Sequence, residues 1–285
     1  MPRKQKGGDI YDSILKSSKI VGPEGSQHVK YNLQNGQSII AATGAMIYMK
    51  GSIGKAELSF DGIGQGIKKV LAGESLVYQK FTATGNGTVV LGSNFINTIM
   101  ILKIKKGDEY RLSRYSFLAC TDNIQISMTT QMKGIIGIGQ SEGFILPIAS
   151  CISGDYGYIW LSAYGNFEQE SVDANDSILI DNGMFLACHN THQYELERIG
   201  KTLFGSFLGG EGFGMKFNGP CTVYIQTKNI NEFIERFQTS ASSNDNGLAK
   251  DVGKGILEGA WNIMKEGGGG HKRNKGRKNG DIKSR

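Results

Sequence analysis

Three acidic side chains recur in this chain at an interval that chemistry could use. Glu74, Glu142 and Glu211 sit in the short turns Gly73-Glu74, Ser141-Glu142-Gly143 and Gly210-Glu211-Gly212, spaced 68 and 69 residues apart. Converging on one axis, three carboxylates would bind a cation or a partner. More often such a turn is structural: glycine supplies left-handed backbone, and the acid accepts hydrogen bonds from nearby N–H groups.

The second grouping is His189 and His192 with Glu195 and Glu197. These are metal-ligating residue types, but strand residues three apart point to opposite faces, so the imidazoles are not expected to converge. Cys188 beside His189 fails as a nucleophile–base pair for the same reason. The run from Gly62 to Gly66 lacks the strand–turn–helix setting and the Lys-Ser/Thr ending of a phosphate loop. Cys120, Cys151, Cys188 and Cys221 show no zinc spacing. They are expected to be reduced core residues, with Cys120 and Cys188 in matching Phe-Leu-Ala-Cys contexts. No catalytic residue, metal or cofactor is therefore expected, and the chain does not read as an enzyme.

Charge points elsewhere. The net charge is +6, yet residues 271–285 carry seven Lys/Arg against one Asp, and residues 1–8 carry three basic residues and no acid. The remainder is net −3. Lys272, Arg273, Lys275, Arg277 and Lys278 are the candidate anion-binding residues. No aromatic interleaves them, so base stacking is not suggested. Charge alone gives salt-sensitive contact with phosphates of nucleic acid or anionic lipid, the alternative being a solvated tail.

The elements that must position these residues are strands. Glycine is abundant, at 41 residues, and proline scarce, at 4, which suits many short strands joined by tight turns. Each Glu turn is followed by alternating apolar residues and then a further apolar run: Thr88-Val89-Val90-Leu91, Tyr158-Ile159-Trp160-Leu161 and Thr222-Val223-Tyr224-Ile225. One β-unit thus recurs three times, over about 27–94, 95–165 and 166–229. Gly73, Glu74, Glu142, Gly143, Gly210, Glu211, Gly212, Gly219 and Pro220 mark its corners. Asn35-Gly36 reads as a hairpin turn, and Ile39-Ile40-Ala41-Ala42 takes the place that Phe-Leu-Ala-Cys holds in the other units. Residues 1–26 read as a flexible basic arm, with at most one or two helical turns around Ile10, Ile14 and Leu15. Residues 239–285 hold a polar linker, an amphipathic helix over 247–266 and the basic, glycine-rich tail.

The stretch from Phe207-Leu208-Gly209-Gly210-Glu211-Gly212-Phe213 to Phe217-Asn218-Gly219-Pro220-Cys221-Thr222-Val223-Tyr224-Ile225-Gln226-Thr227 resembles a known family. So do Gly44-Ala45-Met46-Ile47-Tyr48-Met49, Leu71-Ala72-Gly73-Glu74 and Leu161-Ser162-Ala163-Tyr164-Gly165. The family is the mitochondrial biogenesis one named for altered inheritance of mitochondria (member twenty-four), with bacterial and archaeal relatives. The resemblance implies a fold like that of the trp RNA-binding attenuation protein, an all-β, pseudo-threefold body of β-sandwich or double-stranded β-helix type. It implies no catalytic residues. Ser141 stands where the family has glycine, and the basic extension lies outside the family core.

The expectation is an all-β body over 27–238 with a short C-terminal helix, acting as a non-catalytic scaffold or binding protein. Expected partners are further copies of itself, another protein, or an anionic membrane surface or nucleic acid reached through the tail. An intracellular, cytoplasmic location is expected; the resemblance adds a mitochondrial one, without a clear presequence.

Overall fold

In a computed structural model the chain is described over residues 7–60, 77–113, 115–128, 146–198 and 213–229, with residue 232. The Glu74, Glu142 and Glu211 turns, the Gly62–Gly66 run and the whole of 239–285, including the expected 247–266 helix, lie outside these residues. What is described is mostly strand.

Strands form where β-branched and aromatic residues alternate with polar ones. In strand β2 (His28–Leu33), Val29, Tyr31 and Leu33 are buried while Asn32 is exposed. The first unit continues with β3 (Ser38–Ala42), β4 (Met46–Ile53), β5 (Glu57–Phe60) and β6 (Val77–Gly92). The second runs β7 (Asn97–Lys105), β8 (Glu109–Leu112), β9 (Phe117–Thr121), β10 (Ile124–Met128), β11 (Pro147–Cys151) and β12 (Tyr156–Tyr164). The third runs β13 (Phe167–Val172), β14 (Ser177–Asp181), β15 (Phe185–His189), β16 (Tyr194–Arg198), β17 (Phe213–Asn218) and β18 (Cys221–Gln226).

One antiparallel pairing scheme governs all three stretches. The first strand pairs the last: β7 with β12, β13 with β18, and β2 with the 87–92 half of β6. The second pairs the fifth: β8 with β11, β14 with β17, and β3 with the 78–82 half of β6. The third pairs the last: β9 with β12, β15 with β18, and β4 with the later half of β6. The long β6 therefore serves as both fifth and last strand of its unit. Two ladders tie neighbouring stretches together, β3 with β9 and β8 with β15.

This scheme corrects two expectations. Ile39–Ala42 does not occupy the Phe-Leu-Ala-Cys place; it lies beside it, with Ile40 opposite Cys120, and β4 holds the equivalent position. Asn35-Gly36 is not a hairpin. Gly36 does adopt a left-handed φ of 82°, but β2 and β3 run on along the same β6 strand, and the Gly36 N–H donates to the Ala83 carbonyl at 2.8 Å. The turn is a corner within a continuous ladder.

The first sheet, which opens with strand β1 (Ser18–Val21) and runs in the order β1-β2-β6-β3-β9-β12-β7, curls back on itself. The Asn97 N–H donates to Gly25 O at 2.9 Å and the Gln27 N–H to Asn97 O at 3.2 Å, which nearly closes the sheet into a barrel. Inside it Trp160 and Tyr31 are fully buried and meet edge to face at 5.1 Å. Two further buried clusters follow, centred on Ile104, Leu112 and Ile159 and on Phe185, Phe217 and Val223.

Residues 7–26, expected as an arm, form helix α1 (Gly7–Ser17) and strand β1 (Ser18–Val21), which extends the sheet beside β2. Ile14 is buried in the barrel core with Tyr11 and Leu15 against it. Asp12 completes the docking: the Tyr158 hydroxyl donates to its Oδ1 at 2.6 Å and the Tyr156 hydroxyl to its Oδ2 at 2.9 Å. Bonds to an ionised acceptor are the stronger kind. The Tyr158 bond, then the Tyr156 bond, holds the Asp12 carboxyl below its ordinary 3.8. A depressed carboxyl adds stability that is present above its unfolded pKa and lost as pH falls through its folded one. Asp12→Asn should lower the melting temperature at neutral pH, and thermal melts should show the gap to wild type narrowing once pH falls below 3.8.

Candidate functional site

Among the described residues, one group of polar side chains gathers where β8 meets the β15–β16 turn. Pairing of β8 with β15 sets Arg111 opposite Cys188 and Tyr110 opposite His189. Past His189 the chain reverses, with the His192 N–H donating to His189 O at 3.0 Å and the Asn190 N–H to Glu109 O at 2.8 Å.

Arg111 organises that turn. Its Nη1 donates to His192 O at 3.0 Å, and its Nη2 donates to Asn190 Oδ1 at 2.9 Å and Asn190 O at 3.3 Å. Asn190 in turn donates through Nδ2 to Glu109 Oε2 at 2.8 Å. The guanidinium carbon stands 5.2 Å from the centre of the Tyr194 ring, within cation–π range. A planar fork of donors suits this work, whereas an ammonium would not.

The expectation that the two histidines stay apart is overturned. They are not on one strand: His189 ends β15 and His192 follows a tight turn, so their ring centres approach to 5.9 Å. His189 Nδ1 is 2.7 Å from Thr191 Oγ1, its Nε2 is 3.7 Å from Asp108 Oδ1, and the Tyr110 ring meets it at 5.3 Å. His192 Nε2 accepts from the Thr222 N–H at 3.5 Å. Burial first, then the neighbouring His189 and Arg111, lowers the His192 pKa from 6.5. Glu195 and Glu197 do not join the rings. They lie on β16, where Glu197 pairs with Lys216 at 3.1 Å. Among the described residues no group of three or more His, Cys, Asp or Glu is placed to hold a metal ion.

The four cysteines are free and buried. Burial pushes the Cys188 thiol up to about 12, so at neutral pH it is not a thiolate nucleophile. Its side chain joins the third core cluster while His189 is partly exposed, so the neighbours do face apart. Gly219 and Pro220 mark a tight approach. The Gly219 N–H donates to Asp176 O at 2.9 Å, and a Cβ at Gly219 would collide with the Asp173 carbonyl. Sequence reasoning missed Arg111, Asp108 and Asn190. The one available signal was a basic residue inside a short strand, directly after the Gly107 turn.

The arrangement can hold a turn, and it joins the second stretch of strands to the third. Its place in the molecule matters for comparison, since it lies midway through the β-body. A model of the mitochondrial biogenesis AIM24 family matches residues 18–228. The chain belongs to that family. The AIM24 match starts at β1 and ends just past β18, so it takes in every described strand and leaves out α1 and the basic extension. No match was found among curated proteins. An X-ray crystal structure of a protein from Streptococcus pyogenes is similar at 22% identity with a TM-score of 0.60, covering 78% of this chain and 98% of that one. At that identity the likeness concerns the fold. Among the described residues of this AIM24-family chain no helix is long and apolar enough to cross a membrane, which leaves membrane β-barrels open.

Two outcomes test the cluster. Arg111→Met should destabilise the fold by about 2 kcal/mol in chemical denaturation, as expected for lost bonds to a charged donor, and Arg111→Lys should recover little. His192 has a depressed pKa, so its contribution is full above 6.5 and falls as pH drops through its folded value. A His192→Asn protein should therefore lose less melting temperature than wild type as pH is taken below 6.5.

Proposed function

We propose that this AIM24-family protein is a non-catalytic β-scaffold whose C-terminal extension, residues 239–285, binds an anionic surface. The observation that carries the reading is the division of charge: a body of net −3 with seven basic residues against one acid at the far C-terminus. A cationic segment beside a mildly acidic body is drawn to phosphates while the body stays free for other contacts. The described body adds support, because its best-formed polar cluster is engaged in holding a turn, with Arg111 bound to two backbone carbonyls.

The second reading is nucleic-acid binding through the same basic ends, favoured by the resemblance to the trp RNA-binding attenuation protein. Both readings use phosphate contacts, so lipid and nucleic acid must be compared directly.

The test uses the full chain and a full-length variant with Lys272, Arg273, Lys275, Arg277 and Lys278 changed to Gln. Near an anionic membrane each basic residue adds about 1 kcal/mol, so binding to phosphatidylserine vesicles should fall roughly a thousand-fold or more. Binding of the wild type should also weaken steeply with salt and be absent on phosphatidylcholine vesicles. RNA binding that survives in the variant would replace the anchoring reading with recognition by the body.

A further inference from the structure

The pairing scheme leaves two strands without a neighbour that their counterparts have. Between stretches, the second strand of one unit joins the third strand of the next: β3 with β9, and β8 with β15. By the same rule β14, the second strand of the third unit, needs a third strand, and β4, the third strand of the first unit, needs a second strand. Among the described residues β4 is laddered only to β6 and β14 only to β17.

Burial marks the same gap. The strands equivalent to β4 are closed off: Leu118, Ala119 and Cys120 on β9, and Leu186, Ala187 and Cys188 on β15, are at most 2% exposed. On β4, Met46 is 42% exposed, Ile47 56%, Tyr48 45% and Met49 41%. Successive strand residues face opposite ways, so β4 is exposed on both faces, and among the described residues one of its edges is unpaired. A strand this apolar with a bare edge is a template for pairing with another chain. On β14 the large apolar residue left outside is Leu179, 44% exposed.

We infer that β4 is the acceptor edge for β14 of a second copy of this chain, joined antiparallel as β3 joins β9 and β8 joins β15. Both internal junctions are antiparallel, and both bury the strand in the β4 position, so the fold itself shows what such a neighbour does. Antiparallel pairing also sets the Lys50 end of β4 against the start of β14, where Asp176 is exposed. The two edges differ, so the contact is head-to-tail, and each copy offers one donor and one acceptor. Such contacts close into a ring or extend. This deepens the scaffold reading and rests on it. The vesicle assay reads the tail and the experiment below reads strand edges, so either can fail alone.

The test is sedimentation velocity of the full chain over a range of concentrations, with two variants at exposed positions. Ile47→Lys with Met49→Lys blocks β4, and Ser177→Lys with Leu179→Lys blocks β14. Wild type should assemble, each variant alone should be monomeric, and an equimolar mixture of the variants should stop at dimers through the one intact pair of edges. Amide exchange across 46–53 should slow with concentration in wild type and not in the β14-blocked protein, a readout that registers the edge even if a variant is destabilised. Three results would each overturn the inference: a wild type monomeric throughout, a β14-blocked protein that still assembles as wild type does, or a mixture that stays monomeric.

Discussion

Backbone amides and carbonyls at strand edges need partners, and the architecture of this chain follows from where those partners are found. Within each stretch the first and third strands are tied to the last and the second to the fifth, but a unit so built still presents one further edge on its second strand and one on its third. The β3–β9 and β8–β15 ladders satisfy four of these six edges, three residue pairs in each. Those short ladders place Cys120 and Cys188 in equivalent buried positions and bring Arg111 over the His189–His192 turn. The cores, the cysteines and the polar cluster all depend on that side-by-side joining.

Much of this could be read from local pattern. Alternation around Val29, Tyr31 and Leu33 indicates a half-buried strand, and the matching Phe-Leu-Ala-Cys stretches identify equivalent places. Features decided by distant partners could not be read this way. Asn35-Gly36 has hairpin chemistry, but β6 is long enough to accept both flanking strands in line, so the turn becomes a corner. Ile39–Ala42 resembles Phe117–Cys120 in composition, yet composition cannot tell a strand from the strand beside it. Helix α1 looks too short and polar to stand alone; it is held by Asp12 reaching two tyrosines 144 and 146 residues away. The histidines converge because a reversal falls between them, where alternation along a single strand would have kept them apart.

Family membership and fold describe the same region, residues 18–228, and the charge asymmetry lies largely outside it. The body supplies the geometry, and the basic residues proposed to contact phosphates are appended to it. If copies join edge to edge, their tails act together, and weak contacts that would each dissociate quickly gain from local concentration.

Strand β6 has a structural consequence. Its 16 residues form one uninterrupted strand about 50 Å long, gripped by β3 and β5 on one half and by β2 and β4 on the other. The other two units break this path with a turn, between β11 and β12 and between β17 and β18. β4 is thus laddered to a strand that continues unbroken into the half paired with β3 and β5, whereas in the later units a turn separates the corresponding halves. One of the two open edges is therefore mounted on the longest strand among the described residues.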